Sequence, residues 1–292
     1  MNFFLPDFSP RNLKLNMFII NLLKEHPEYF YEDIQIQAIY GAFAGSIWNG
    51  GRIQLGYSQK EEMQHTIQML NNNGIAIRYT FTNCLIEEKH LFDTYCNLTM
   101  DIANNGMNEV LVNSPLLEEY LRDKYPNFKY ILSTTRCERD LDVINELTKT
   151  YDLVVTDYRD NSNFEFLEGI EDKNKIELLI NAYCNPNCKI RQQHYESISK
   201  HQLEFSGVNP MIDNTFINCP TYKMNFYDIL NYDSVIKRED FQKYTDLGFS
   251  NFKIEGRTMP IPQVIESYVY YLIKPEYRDK IRLMILTQPL YK

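Results

Sequence analysis

Short apolar or β-branched runs alternate along this chain with longer segments whose apolar positions recur at helical spacing, the pattern of parallel strand–helix units. The first such run is Ile36–Tyr40. Beyond Gly50-Gly51, Ser58 with Glu61 reads as a capping box for a helix through Leu70, which Asn71–Gly74 ends. A strand over Ile75–Thr80 precedes a helix from about Glu87 to Asn104, stopped by Asn105-Gly106. Glu109–Val112 is the third strand, and Ser114-Pro115 supplies the cap and first turn of the helix behind it. Strands follow at Lys129–Leu132, Leu153–Thr156, Ile176–Ile180, Thr215–Ile217 and Phe252–Ile254, with helices predicted over Asp140–Lys149 and Pro260–Ile273. Eight strands, each trailed by a helix, make the count of a closed TIM-like (β/α)8 barrel. An open doubly wound sheet is the alternative, but Gly41–Gly45 after the first strand lacks its G-x-G-x-x-G phosphate loop. The reading assigns residues 1–34 to an N-terminal helical extension and 35–292 to one barrel domain.

Composition narrows the function classes. The 292 residues are 44% hydrophobic and 24% charged, enough apolar material for a large core. Thirty Lys and Arg against 39 Asp and Glu give a net charge of −9, so the chain has no general attraction for phosphate backbones and nucleic acid is not an expected partner. The start, Met1–Asp7, has no signal-peptide pattern, and the apolar Met17–Leu23 is too short to cross a bilayer. A cytoplasmic, membrane-free protein is the expectation. Its six cysteines are then reduced, and serve as core fillers, nucleophiles or metal ligands.

In a barrel, chemistry collects where the strands exit. The residues just past the predicted strands include Asn83-Cys84, Ser133-Thr134 with Cys137, Asp157-Tyr158-Arg159, Asn181 with Cys184 and Cys188, Asn218-Cys219 and Glu255-Gly256-Arg257. Five of six cysteines fall here and only Cys96 does not, which points to a shared pocket. Cys184-x3-Cys188, on a Pro/Asn turn, can aim two thiolates into one small volume. Zinc held by Cys184, Cys188, Cys219 and His194 is one reading, and free thiols packed in the barrel mouth another. No Ser/His/Asp order, H-E-x-x-H or Cys/His signature marks a hydrolase. Glu255 can move protons, and Arg257, or Arg52 behind Gly50-Gly51, can clamp the carboxylate of a small substrate. For Glu255-Gly256-Arg257 a salt-bridged rim loop is the plainer alternative, and for Arg52 a solvated surface charge.

These residues resemble the U-32 peptidase family, the collagenase-like proteases. Lys253–Arg257 is similar to that family's K-I-E-G-R segment, and Ile176–Cys184 to the strand leading to its cysteines. Cys184-x3-Cys188 followed by Arg191 and Tyr195 resembles its C-x3-C-R-x2-Y element. Gly51-Arg52, Tyr79–Asn83 and Met224–Asp228 echo further family segments, and the matches scatter from about residue 36 to 273. The resemblance implies a TIM-like barrel. In several members the cysteines hold a 4Fe–4S cluster, and members include peptidases and oxygen-independent hydroxylases of ubiquinone synthesis or of RNA bases. It implies Cys184, Cys188, Cys219 and Cys137 as cluster ligands, with Cys84 the alternative fourth. This chain departs from the pattern in carrying one compact cysteine pair where the family has two. The resulting expectation is an iron–sulfur, oxygen-independent hydroxylase or oxidoreductase acting on a small aromatic substrate. A peptidase, and a non-catalytic partner paired with a related barrel, are the alternatives.

Overall fold

The computed structural model describes residues 1–204 and 224–287. Eight strands form one closed barrel in chain order, each parallel to its neighbours: β1 (Asn2–Pro6), β2 (Gln35–Gly41), β3 (Ala76–Phe81), β4 (Glu109–Val112), β5 (Lys129–Leu132), β6 (Leu153–Val155), β7 (Ile176–Leu179) and β8 (Asn251–Lys253). Outside them lie α1 (Pro10–Glu25), α2 (Lys60–Asn72), α3 (Glu88–Leu91), α4 (Thr94–Ala103), α5 (Pro115–Lys124), α6 (Leu141–Thr150) and α7 (Phe164–Gly169). The ring continues with α8 (Arg191–Glu204), α9 (Phe226–Ile229), α10 (Phe241–Asp246), α11 (Ile261–Leu272) and α12 (Arg278–Thr287). The (β/α)8 expectation holds.

The domain boundary does not. Residues 1–34 are no extension, because Asn2 pairs with both Gln35 and Asn251 and β1 thereby closes the barrel. The run predicted first is β2. The predicted strand at 215–217 lies outside the described residues, and β7 pairs directly with β8. Two smaller differences have local causes. The helix expected from 87 to 104 is two, because the Asp93 side chain accepts the Cys96 N–H and starts α4 afresh. α2 begins at Lys60 with no side-chain cap, so Ser58 does not form the expected box.

Alternation along each strand divides the core in two. Phe3, Leu5, Ile77, Tyr79, Phe81, Phe252 and Ile254 point outward into the main apolar cluster under the helices. Phe4, Ala38, Tyr40, Ala76, Leu111, Ile131 and Val155 fill the barrel. Polar side chains share that interior. Fully buried Arg78 donates from Nε to Glu109 Oε2 at 2.6 Å and from Nη1 to Glu177 Oε2 at 2.5 Å, and Lys253 Nζ lies 3.2 Å from Glu177 Oε1. Two cations and two anions compensate one another, as buried charges must.

Candidate active site

A cavity of about 780 Å³ opens where the strands exit. Tyr40, Thr80, Leu111, Leu179 and Lys253, near the ends of β2, β3, β4, β7 and β8, form its floor. Loops after β2, β5, β6, β7 and β8, together with α8, form its walls.

Gly50 and Gly51 set the first wall. A Cβ on Gly50 would fall 2.5 Å from the Thr82 carbonyl carbon and oxygen, so only glycine lets this loop lie against the exit of β3. Gly51 has φ +72° and approaches the Arg257 guanidinium closely enough that a Cβ would be 3.3 Å from Nη2. This approach brings Arg52 over the cavity, where it forms an ion pair with Glu255. Glu255 is fixed from three further sides: Oε2 accepts the Tyr183 N–H at 2.9 Å, the Glu255 N–H donates to Asn181 Oδ1 at 2.6 Å, and Asn181 Nδ2 returns a bond to Glu255 O at 3.1 Å.

Arg257 stands differently. Its Nη1 donates to Thr80 Oγ1 at 2.6 Å and Asn49 Oδ1 at 2.9 Å, and its Nη2 to Gly50 O at 2.7 Å. All three acceptors are neutral, and no carboxylate among the described residues lies within ion-pair distance. The side chain is buried, and burial pushes its pKa down to about 10, with Arg52 adding to the fall and Tyr40 and the more distant charges of Asp7 and Glu255 opposing it. Desolvation of this cation is therefore only partly compensated by the chain itself.

The opposite wall carries Arg191, at the start of α8. Its Nη1 reaches Asp157 Oδ2 at 2.5 Å, its Nε donates to Tyr195 Oη at 3.1 Å, and its guanidinium carbon stands 4.5 Å from the centre of the Tyr158 ring. Arg159 also bonds Asp157, at 2.7 and 2.9 Å. Against the upward push of burial, Arg159 and Arg191 hold the Asp157 carboxyl below the usual carboxylate range.

Of the predicted site residues, Glu255, Arg257, Arg52 and Cys184 line this one cavity. Burial pushes the Cys184 thiol up to about 11 despite the charge of Arg191. Cys137 is not among the lining residues. It sits in a left-handed conformation (φ 57°) within electrostatic reach of Arg191, with Sγ 3.6 Å from Thr135 O. Cys84 points elsewhere, its Sγ 3.4 Å from Ser199 Oγ, and Cys219 lies outside the described residues. Among the described residues no three Cys, His, Asp or Glu side chains gather as a metal-ligand set. His194, the nitrogen donor of the zinc reading, lines the cavity wall.

Sequence reasoning passed over Lys253 and Tyr40. The signal was present in β8: Phe252 and Ile254 are apolar and face the helices, so the polar residues Asn251 and Lys253 between them face the barrel.

Curated proteins and solved structures are similar to this chain, while no family model matches it. The eukaryotic translation initiation factor 2-alpha kinase PK4 of Plasmodium berghei is 24% identical over 217 residues, 63% of this chain but 8% of the kinase. The chain thus matches only a small part of that much longer protein. An uncharacterized protease, MJ1657, of Methanocaldococcus jannaschii is 21% identical over 273 residues, 90% of this chain and 79% of the relative. The structure of the U32 peptidase Mk0906 superposes with a TM-score of 0.55 at 16% identity, covering 89% of this chain and 94% of the other. The barrel of a U32 peptidase is therefore the fold of this chain, and both likenesses support the resemblance read from its K-I-E-G-R and C-x3-C segments. No helix among the described residues is long and apolar enough to cross a membrane.

Proposed function

We propose that this chain is a U-32-type barrel enzyme that binds a small aromatic carboxylate in its mouth. Arg257 anchors the carboxylate, Arg52 is a second cation held by Glu255, and Glu255 carries protons. The observation behind this reading is the buried guanidinium of Arg257, bonded only to neutral oxygens at the edge of a cavity that Tyr40, Tyr158, Tyr183 and Tyr195 also line. An incoming carboxylate would supply the missing counter-charge through charge-assisted hydrogen bonds, each worth about 1.5–3 kcal/mol. The chain's net charge of −9 makes a cationic pocket a local feature, suited to a small anion rather than a polyanion.

The finer reading, an oxygen-independent hydroxylase or oxidoreductase, adds a 4Fe–4S cluster, which takes four cysteine ligands. Cys184 and Cys188 supply a neighbouring pair. The described residues do not complete the set, so no step is assigned to a cluster or to zinc. A related barrel as partner belongs with this reading, since a second chain could bring further thiolates. Peptide hydrolysis has weaker support: it rests on the names of similar proteins, and a Cys184 thiol raised to about 11 is not an activated nucleophile.

Binding tests the central part. Benzoate and phenylacetate should bind and raise the melting temperature, whereas benzamide should not. Arg257→Gln should weaken carboxylate binding at least about tenfold, or about 1.4 kcal/mol. Equal affinity for acid and amide, or an unchanged affinity in Arg257→Gln, overturns the anchor. For the finer reading, anaerobically purified protein should carry iron and sulfide that Cys184→Ser loses. Iron-free protein that still turns over substrate would remove the cluster from the account.

A further inference from the structure

The floor of the cavity holds an amine that the anion-binding reading leaves unused. Lys253 is the last residue of β8, and its side chain turns into the barrel, buried yet in contact with the cavity. Its Nζ stands 4.2 Å from the centre of the Tyr40 ring and 3.2 Å from Glu177 Oε1. Glu177 is its one ionic partner among the described residues, and that carboxylate is shared with Arg78 at 2.5 Å. Arg78 has Glu109 as a second partner at 2.6 Å, whereas Lys253 has only its share of Glu177, and Arg257 lies near enough to oppose the lysine charge as well. The Tyr40 hydroxyl is committed elsewhere, donating to Ile254 O at 2.6 Å.

A lysine so placed is costly to keep charged. Burial pushes its pKa down to about 8, and the charges of Arg78 and Arg257 act in the same direction against the pull of Glu177. About a tenth of the amine is therefore uncharged at pH 7, against well under a thousandth for an exposed lysine.

We propose that Lys253 is an imine-forming residue, and that the ligand of this cavity is a small oxo acid whose carboxylate sits on Arg257 while its carbonyl carbon reaches Nζ. Attack of the uncharged amine forms the C–N bond and moves the carbonyl electron pair to oxygen. Both amine protons leave with that oxygen as water, and a C=N bond remains. No oxidant or reductant is needed. The carboxylate half rests on the Arg257 reading, whereas the amine chemistry does not.

The two halves separate experimentally. Full-length protein is incubated with limiting phenylpyruvate, or with benzaldehyde, in the presence of sodium cyanoborohydride, and the reduced adducts are located by peptide mass spectrometry. Lys253 should be modified at least about tenfold faster than an exposed lysine such as Lys60. Arg257→Gln should cut the phenylpyruvate adduct at Lys253 about tenfold and leave the benzaldehyde adduct within about threefold. Lys253 modified no faster than Lys60 overturns the imine-forming role, whether or not carboxylates bind. Benzaldehyde trapped at Lys253 with no preference for phenylpyruvate in the unaltered protein supports the amine and overturns the oxo acid. Because the modified residue is read from the unaltered chain, the outcome does not depend on a Lys253 variant folding.

Discussion

At the scale of single residues, the barrel interior shows how one buried charge fixes the behaviour of the next. Glu177 serves both Arg78 and Lys253, and its carboxyl is held below its usual range because those two cations outweigh the desolvation that would raise it. Lys253 has the opposite fate: with a folded-state value near 8 and an unfolded value near 10.4, the unfolded chain binds more protons between those limits. Stability contributed by this group is therefore lowest below pH 8 and rises with pH through that window. Buried thiols such as Cys184, raised to about 11, act in the opposite direction above about pH 8.5, so the Lys253 contribution is read as a difference. From pH 7 to 10 the urea midpoint of the native protein should gain on that of Lys253→Met, which leaves Glu177 paired with Arg78, and a constant offset between the two proteins would place the titration elsewhere.

Legibility at this scale followed geometry. Cys184, Glu255 and Arg257 were readable because they sit just past strands, where a barrel gathers its chemistry, and Arg52 because it follows Gly50-Gly51 in the loop after β2. Arg78, Glu109 and Glu177 were not. Each is a charged residue inside a strand, and its partners lie 31 to 99 positions away on other strands, beyond any local spacing rule.

At the scale of elements, the eight-strand count was reached with a different set of strands. β1 is five residues, Asn2-Phe3-Phe4-Leu5-Pro6, too short and too near the start of the chain to show a period. Its role is tertiary, since Phe4 enters the barrel while Phe3 and Leu5 pack beneath the helices. The Asp93 cap is a similar case, as a single aspartate divides an otherwise continuous helical pattern. If β1 closes the barrel, deleting residues 1–34 exposes unpaired edges on β2 and β8 along with the apolar face that α1 covers. The truncated chain should lose its cooperative thermal transition and aggregate. A monomeric 35–292 fragment with native circular dichroism would restore the extension that the sequence pattern suggested.

At the scale of the whole molecule, a chain of net charge −9 gathers Arg52, Arg191, Arg257 and Lys253 around one mouth. Three of these have internal acidic partners, Glu255, Asp157 and Glu177. Arg257 is the exception, and the molecule's proposed purpose turns on it. The fold is that of a U32 peptidase, but the same barrel supports many chemistries, so the decision rests with the side chains in the mouth.

The most direct measurement is a crystal structure of the protein soaked with phenylacetate. The account predicts one ligand in the cavity, a carboxylate oxygen within about 3 Å of the Arg257 guanidinium, and the ring among the tyrosines above Lys253. A ligand whose carboxylate pairs with Arg52 or Arg191 while Arg257 keeps only its neutral partners would contradict it.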